Sequence, residues 1–217
     1  MAKIIEIHAR QILDSRGNPT VEAEVFTENR IMGRAAVPSG ASTGKHEAVE
    51  LRDGDREFYL GRGVLKAVKY VRTAINEALN GVNVNDQSLI DSKMIELDGT
   101  SNKSNIGANA ILAVSMAVKK LSSKIKKIPL YKNFLIKKNF KLPYPLMNII
   151  NGGAHSNNKL RIQEFMIRPD GANSFAEAIR MCFLVINNLK KIISQKGMSV
   201  SVGDEGGFAP MISSNEE

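Results

Sequence analysis

The sequence contains one cysteine and no long apolar segment, and these absences exclude several classes of protein. A single thiol cannot form a disulfide within the chain, and the spacing of Cys182 along an apolar helical face predicts a buried thiol. The opening residues are interrupted by Glu6 and His8, so they lack the apolar stretch of a signal peptide, and no later segment is long enough to span a bilayer. We therefore expect a cytoplasmic globular protein without a membrane span.

The chain also lacks two common nucleotide-binding motifs. Segment 38–46 is rich in glycine and small hydroxyl residues, but Gly40 and Gly44 are one residue too close for a phosphate-binding loop. His46 also occupies the position where that motif requires serine or threonine. The Gly-Arg-Gly sequence at 61–63 has no preceding strand, which a dinucleotide site requires. Segment 38–46 is therefore predicted to be a mobile surface loop.

Positive charge exceeds negative charge, with a formal net charge of +8. Lysines are concentrated between residues 119 and 141, with Tyr131, Phe134 and Phe140 among them, as in some nucleic-acid or anionic-membrane surfaces. The region lacks an arginine-aromatic recognition motif and a glycine-rich RNA-binding signature, which favours a solvated helix face over a nucleic-acid site. A positive field of this size also suits a small metabolite with several negative charges.

The first part of the chain is predicted to form an α+β domain, residues 1–138. Three apolar or alternating segments, separated by turn signals, predict an antiparallel meander: 3–12, 20–27 and 31–37. Three later segments with apolar residues three or four positions apart predict helices: 64–79, 86–97 and 109–124. In the second helix the residues predicted to face inward are Leu89, Ile90, Met94 and Leu97. Strands followed by helices are typical of an α+β domain.

The remaining residues, 139–217, are predicted to form the start of a βα barrel. Two prolines, Pro143 and Pro145, stop any helix at the boundary. Strands are predicted at three segments: 146–150, 162–167 and 199–202. Ser174 caps a predicted helix before the last of them. This order indicates parallel strands, but a closed barrel takes roughly 250 residues, so we expect an incomplete one.

Polar residues interrupt or follow these apolar strands, and they are the candidate site. They are His155, Gln163, Glu164, Asp204 and Glu205. The last two lie among three glycines, which allow a substrate to approach the backbone closely. Carboxylates gathered at one barrel mouth raise each other's pKa, so that one of them can act as an acid near neutral pH. Taken singly, each residue has an ordinary explanation: a solvated turn, a structural histidine or an ion pair with lysine.

Six segments in a fixed order make the sequence resemble the enolase family, from Ile4 to the last residues. They are 14–22, 38–44, 107–115, 148–153, 163–166 and 203–207. The resemblance implies an α+β N-terminal domain followed by an enolase-type, TIM-like barrel that is truncated here. It also implies the glycolytic, reversible dehydration of 2-phosphoglycerate to phosphoenolpyruvate, two Mg²⁺ ions per complete site and a homodimer. The cell surface and secretion are further locations that the family implies.

Residue roles follow from the resemblance alone. Glu205 would be the acid for the leaving hydroxide, with Glu164 and His155 beside it as catalytic and substrate-binding groups. Gln163 would contact the substrate, and Ser42 would bind the second Mg²⁺ from the mobile loop. Complete family members are about twice as long, so the other Mg²⁺ ligands and the lysine base would be absent from this chain.

Two further expectations concern what this chain can do. Arg10 and Glu22, which in the family face the partner subunit, would lack their partners here, and the 217 residues alone are expected to be inactive. Two alternatives to the lyase remain open at this point. One is a truncated, non-catalytic relative that acts as a binding protein through its front domain and its lysines. The other is a magnesium-dependent enzyme of the same superfamily that acts on a different carboxylate.

Overall fold

The structure, a computed structural model, describes residues 2–40, 43–134, 140–203 and 205–217. The chain divides into two compact units, Met1–Ile136 and Lys137–Glu217. The predicted domain boundary between residues 138 and 139 lies outside the described residues. Within the described ranges, no helix is both long enough and apolar enough to cross a membrane.

The first unit begins with a three-stranded antiparallel sheet in the order β1-β2-β3, which confirms the predicted meander. The strands are β1 Ile4–Leu13, β2 Pro19–Thr27 and β3 Met32–Val37. Alternation along β2 buries Val21, Ala23 and Val25 beneath the helices, while Glu22 and Glu24 lie on the opposite face. The sheet thus has one apolar face and one charged face.

The charged face of the sheet contains ion pairs within the chain. Arg10 Nη1 donates to Glu22 Oε1 at 2.6 Å, and Arg10 Nη2 donates to Glu24 Oε2 at 2.5 Å. Arg10 and Glu22 thus form an ion pair with each other, and the expectation about their partners in a second subunit stays a prediction. The reason for the ion pair is the strand register, which sets Arg10 directly opposite Glu22 across β1 and β2.

Helices follow the sheet and cover its apolar face. They are α1 Leu65–Tyr70, α2 Asn76–Leu79, α3 Gln87–Asp98, α4 Ala108–Lys126 and α5 Leu130–Phe134, with a π-helical turn at Val71–Ile75 joining α1 to α2. The long helix α4 packs directly against β3. The closeness is evident at Gly33, where an added Cβ atom would be only 2.2 Å from the Ala117 carbonyl oxygen. Buried alanines on α4 allow this close approach.

The predicted inward face of α3 is half wrong. Ile90 and Met94 are fully buried, but Leu89 is 43% exposed and Leu97 is 39% exposed. The third buried position on this helix is Asp98, which continues the four-residue spacing of Ile90 and Met94. The buried stripe of this helix is narrow. It contains the Asp98 carboxylate, which accepts hydrogen bonds, whereas the two leucines predicted to face inward lie outside it.

The described residues of the second unit form two strands, β4 Met147–Asn151 and β5 Glu164–Ile167, and the helix α6 Phe175–Gln195. The strands pair antiparallel, which corrects the expectation of parallel strands. Their connection contains only a 3₁₀ turn at Gly153–His155, whereas a parallel pair needs a long crossover. Ser174 Oγ accepts the Glu177 N–H at 3.1 Å at the start of α6, and Cys182 is buried, both as predicted.

The predicted strand at 199–202 does not form. In its place, Phe208 forms a parallel bridge to Ile150 of β4 and an antiparallel bridge to Val202. The chain reverses at the glycines, with Gly203 N–H donating to the Gly207 carbonyl at 2.9 Å. This reversal brings Phe208, rather than 199–202, beside β4.

Candidate active site

The first part of the candidate site is the histidine turn, defined as residues 152–158. Two of its positions favour glycine for different reasons. A Cβ at Gly152 would be only 2.3 Å from the Ile162 carbonyl oxygen, and Gly153 has a positive φ of +51°, which side chains disfavour. The Gly152 N–H donates to the Gln163 carbonyl at 2.9 Å. The pairing of β4 with β5 therefore sets His155 opposite the first residues of β5.

His155 contacts two of the predicted site residues. Its Nε2 lies 3.0 Å from Gln163 Nε2, and its Nδ1 lies 3.3 Å from Glu164 Oε1. With the Gln163 amide donating to Nε2, a neutral imidazole carries its proton on Nδ1, facing the carboxylate. Only 5% of the His155 side chain is exposed, and Nδ1 has the distance of an ion pair but not the geometry of a hydrogen bond. The ring therefore lies between the Gln163 amide and the nearby Glu164 carboxylate in a mostly buried position.

The second part is the glutamate turn, defined as Gly203 and residues 205–210. Gly206 has φ +89° and its N–H donates to the Gly203 carbonyl at 3.0 Å, which makes the turn tight. Glu205 is exposed at its tip, and among the described residues its carboxylate has no hydrogen-bond or ion-pair partner. The neighbouring candidate, Asp204, lies outside the described residues.

The two turns lie against each other. A Cβ atom at Gly203 would be 3.0 Å from the His155 carbonyl oxygen and 2.6 Å from Asn151 Nδ2, so only glycine fits without a shift. Together the turns line an open cavity of about 380 Å³. Its lining includes His155, Asn158, Gly203 and Met211. The structure thus joins His155, Gln163 and Glu164 by direct contact, whereas Glu205 belongs to the turn whose Gly203 lies against His155.

Ser42 lies outside the described residues, but the segment around it is anchored at its base. Ser39 Oγ donates to Glu50 Oε1 at 2.6 Å, and Arg52 Nη2 donates to the same hydroxyl at 2.6 Å. Gly40 and Thr43 line a cavity of about 600 Å³ that extends to the first turn of α4. Polar contacts therefore tie the start of the loop to the chain that follows it.

Two site residues escaped prediction from the sequence, Asn151 and Asn158. Asn151 is fully buried at the end of β4, and Asn158 Nδ2 donates to both the Asn151 carbonyl and the Pro210 carbonyl, at 2.8 Å and 3.1 Å. The sequence feature that could have identified Asn151 is an amide side chain at the end of an apolar strand. Such a group is buried only where its hydrogen bonds are satisfied.

The described residues do not form a metal centre by themselves. Magnesium is bound mainly through carboxylate, carbonyl and water oxygens. Across the ranges that the structure describes, no three His, Cys, Asp or Glu side chains converge in a way that could hold a metal ion. The Glu164 carboxylate lies beside His155, and Glu205 is exposed on the glutamate turn.

Comparison with known proteins gives consistent matches over both units. Residues 4–134 match the family model described as "Enolase, N-terminal domain", and residues 139–217 match "Enolase, C-terminal TIM barrel domain". The chain is also 65% identical over 217 residues to a curated protein of Pelagibacter ubique (strain HTCC1062) named enolase. That match covers 100% of this chain and 52% of the relative, so the chain spans about half the length of this curated relative.

Proposed function

Because the chain belongs to the enolase family, we propose that the protein is a hydro-lyase that interconverts 2-phosphoglycerate and phosphoenolpyruvate. The observation that carries the proposal is an overall identity of 65% across all 217 residues, an alignment that spans both turns of the candidate site. The contact of His155 with Gln163 and Glu164 supports a polar substrate site at the same place.

The substrate dictates what the site must do. The proton next to the carboxylate of 2-phosphoglycerate is weakly acidic, because its removal places a second negative charge on that group. The hydroxide on the next carbon is a poor leaving group and needs a proton from an acid. An enzyme for this reaction therefore needs a base, a stabiliser of negative charge and an acid.

We assign the acid to Glu205. This residue is exposed on the glutamate turn, whose Gly203 lies against the histidine turn. His155, Glu164 and Gln163 are assigned to substrate binding, with His155 and Glu164 also acting in catalysis. The Gln163 amide lies 3.0 Å from Nε2 of the imidazole ring and the Glu164 carboxylate lies 3.3 Å from Nδ1, so both ring nitrogens face polar groups.

Dependence on two Mg²⁺ ions, with Ser42 as a ligand, is part of the proposal because the family implies it. Since the described residues do not build a centre for either ion, we assign no step to magnesium. A homodimer through the charged face of the sheet, around Arg10 and Glu22, is also proposed, and light scattering of the purified protein tests it. A cytoplasmic location follows from the proposed glycolytic role, and cell fractionation tests it.

Turnover of 2-phosphoglycerate tests the proposal directly. The suitable protein is a chimera in which this chain is followed by the part of the Pelagibacter ubique enolase that the chain does not cover. We expect the chimera to form phosphoenolpyruvate, measured by its ultraviolet absorbance, and we expect the 217-residue chain alone to form none. A folded chimera without turnover would contradict the proposed function.

A further inference from the structure

We propose that Asn151 is a positioning residue that fixes the histidine turn and the glutamate turn relative to each other; the inference rests on the proposed function. Asn151 is 0% exposed at the end of β4. Its backbone N–H donates to the Phe208 carbonyl at 2.8 Å, and its backbone carbonyl accepts from Asn158 Nδ2 at 2.8 Å. Its Nδ2 donates to the Gly207 carbonyl at 2.5 Å, and its Oδ1 accepts from Asn148 Nδ2 at 2.5 Å.

The partners of Asn151 belong to both turns. Gly207 and Phe208 are part of the glutamate turn, and Asn158 ends the histidine turn. Asn158 adds a second link, because its Nδ2 also donates to the carbonyl of Pro210 at 3.1 Å. The backbone of Gly203 sits directly on the Asn151 amide, with no room for a side chain. The side-chain amide of Asn151 holds the glutamate turn and its backbone carbonyl holds Asn158 of the histidine turn, so this one buried residue is the common anchor of two turns.

The chemistry at this position selects an amide. The side chain must donate to the Gly207 carbonyl and accept from Asn148 at once, and it must do so without exposed surface. Aspartate has the same shape but no donor, so its oxygen would face the Gly207 carbonyl oxygen at the distance of the present hydrogen bond. A buried acceptor left without its donor destabilises the folded turn, and the glutamate turn can relieve this by moving away.

Such a movement would matter for the proposed reaction. His155 lies on one turn and Glu205 on the other, so the anchor sets the separation of the proposed acid from the substrate-binding histidine. A misplacement of about 1 Å in a site of this kind costs on the order of 10²-fold in rate. Asn151 itself touches neither group through its side chain, and its effect runs through the two turns.

Hydrogen exchange measured by mass spectrometry tests the anchoring itself, on the full 217-residue chain. Asn151→Asp is compared with the unchanged protein and with Asn187→Asp, which makes the same chemical change at an exposed position of α6. We expect exchange about tenfold faster in the two turns for Asn151→Asp, with the first unit unchanged, and no change for Asn187→Asp. Unchanged exchange in the two turns would overturn the proposal.

A second variant is needed if Asn151→Asp loses protection from hydrogen exchange throughout the second unit, because the change would then not be specific to the two turns. Asn158→Ala removes the two hydrogen bonds that link Asn151 and Pro210 to the histidine turn, but it leaves the buried amide in place. Faster exchange confined to the two turns supports the anchor. Exchange that stays at the level of the unchanged protein in both turns contradicts it.

Kinetics of the chimera separate positioning from a purely structural role. We expect Asn151→Asp to lower kcat per folded molecule by about 10–100-fold, with KM changed by less than about twofold, the folded fraction being taken from circular dichroism. A structural role alone would lower the folded fraction and leave kcat per folded molecule unchanged, which would refute the inference. If the unchanged chimera has no turnover, the proposed function fails while the exchange experiment still decides whether Asn151 anchors the turns.

Discussion

Replacement of Asp98 by asparagine is expected to destabilise the first unit by about 2–4 kcal/mol, although the two side chains have the same shape. The Asp98 carboxylate is buried, and one of its oxygens accepts from the N–H groups of Asn105 and Ile106 at 3.1 Å and 2.8 Å. The other oxygen accepts from the N–H and hydroxyl of Thr100. In asparagine one oxygen becomes an NH₂ group, which would face two donors, and each unsatisfied donor costs about 1–3 kcal/mol.

The same carboxylate makes stability depend on pH. Burial, the largest single influence, raises the pKa of Asp98, but the hydrogen bonds from Thr100, Ile106 and Asn105 together outweigh it and hold the pKa below the usual value of 3.8. Because the pKa is lower in the folded state, the charged form stabilises the fold above the unfolded pKa. This contribution is lost as the pH falls from about 4 through the folded pKa.

Urea unfolding followed by circular dichroism measures both effects. At neutral pH the Asp98→Asn protein should unfold at lower urea, and its stability should fall less steeply below pH about 4 than that of the unchanged protein. Asp55→Asn is the matched control, because Asp55 is exposed and accepts from the Glu57 N–H at a surface turn; we expect a change within about 0.5 kcal/mol. Equal stability of the Asp98 and Asp55 variants would refute the reasoning.

Three further predictions concern packing, the site and the metal. Gly33→Ala should lower the unfolding free energy by about 1–3 kcal/mol or more, because the new Cβ overlaps α4, whereas Gly44→Ala enters open space and should change little in the same urea experiment; equal effects would contradict the close packing. Gly203→Ala should lower kcat of the chimera by about 10–100-fold by displacing the glutamate turn, and an unchanged kcat would argue against the contact with the histidine turn. Chelation by EDTA should abolish turnover of the chimera and added Mg²⁺ should restore it; turnover that persists in EDTA would contradict the metal proposal.

Helices and strands of the first unit could be predicted because their apolar spacing is set by local geometry. The inward face of α3 could be predicted only in part. Hydrophobicity placed Leu89 and Leu97 inside, but the buried stripe ends at Asp98, whose burial depends on donors from the loop at 100–106. The spacing of apolar residues in a sequence indicates a helix. It does not indicate that a carboxylate is buried, because that burial depends on hydrogen-bond donors from another part of the chain.

Long-range pairing limited what could be predicted of the second unit. The alternation of polar and apolar residues at 199–202 is typical of a strand. The chain reverses at Gly203, however, and Phe208 pairs with β4 instead. The contact of His155 with Gln163 and Glu164 depends on the antiparallel pairing of β4 with β5, which the sequence order did not indicate. The roles of these residues stay predictions that come from family resemblance.

The most direct test of the central claim is the kcat of the chimera with Glu205→Gln. The claim is that the exposed carboxylate of the glutamate turn supplies the proton for the leaving hydroxide. We predict a loss of at least about 10²-fold in kcat at neutral pH, because glutamine cannot donate an acidic proton, while Glu96→Gln, the same change at an exposed position of α3, leaves kcat unchanged. A Glu205→Gln chimera with the kcat of its parent would contradict the account.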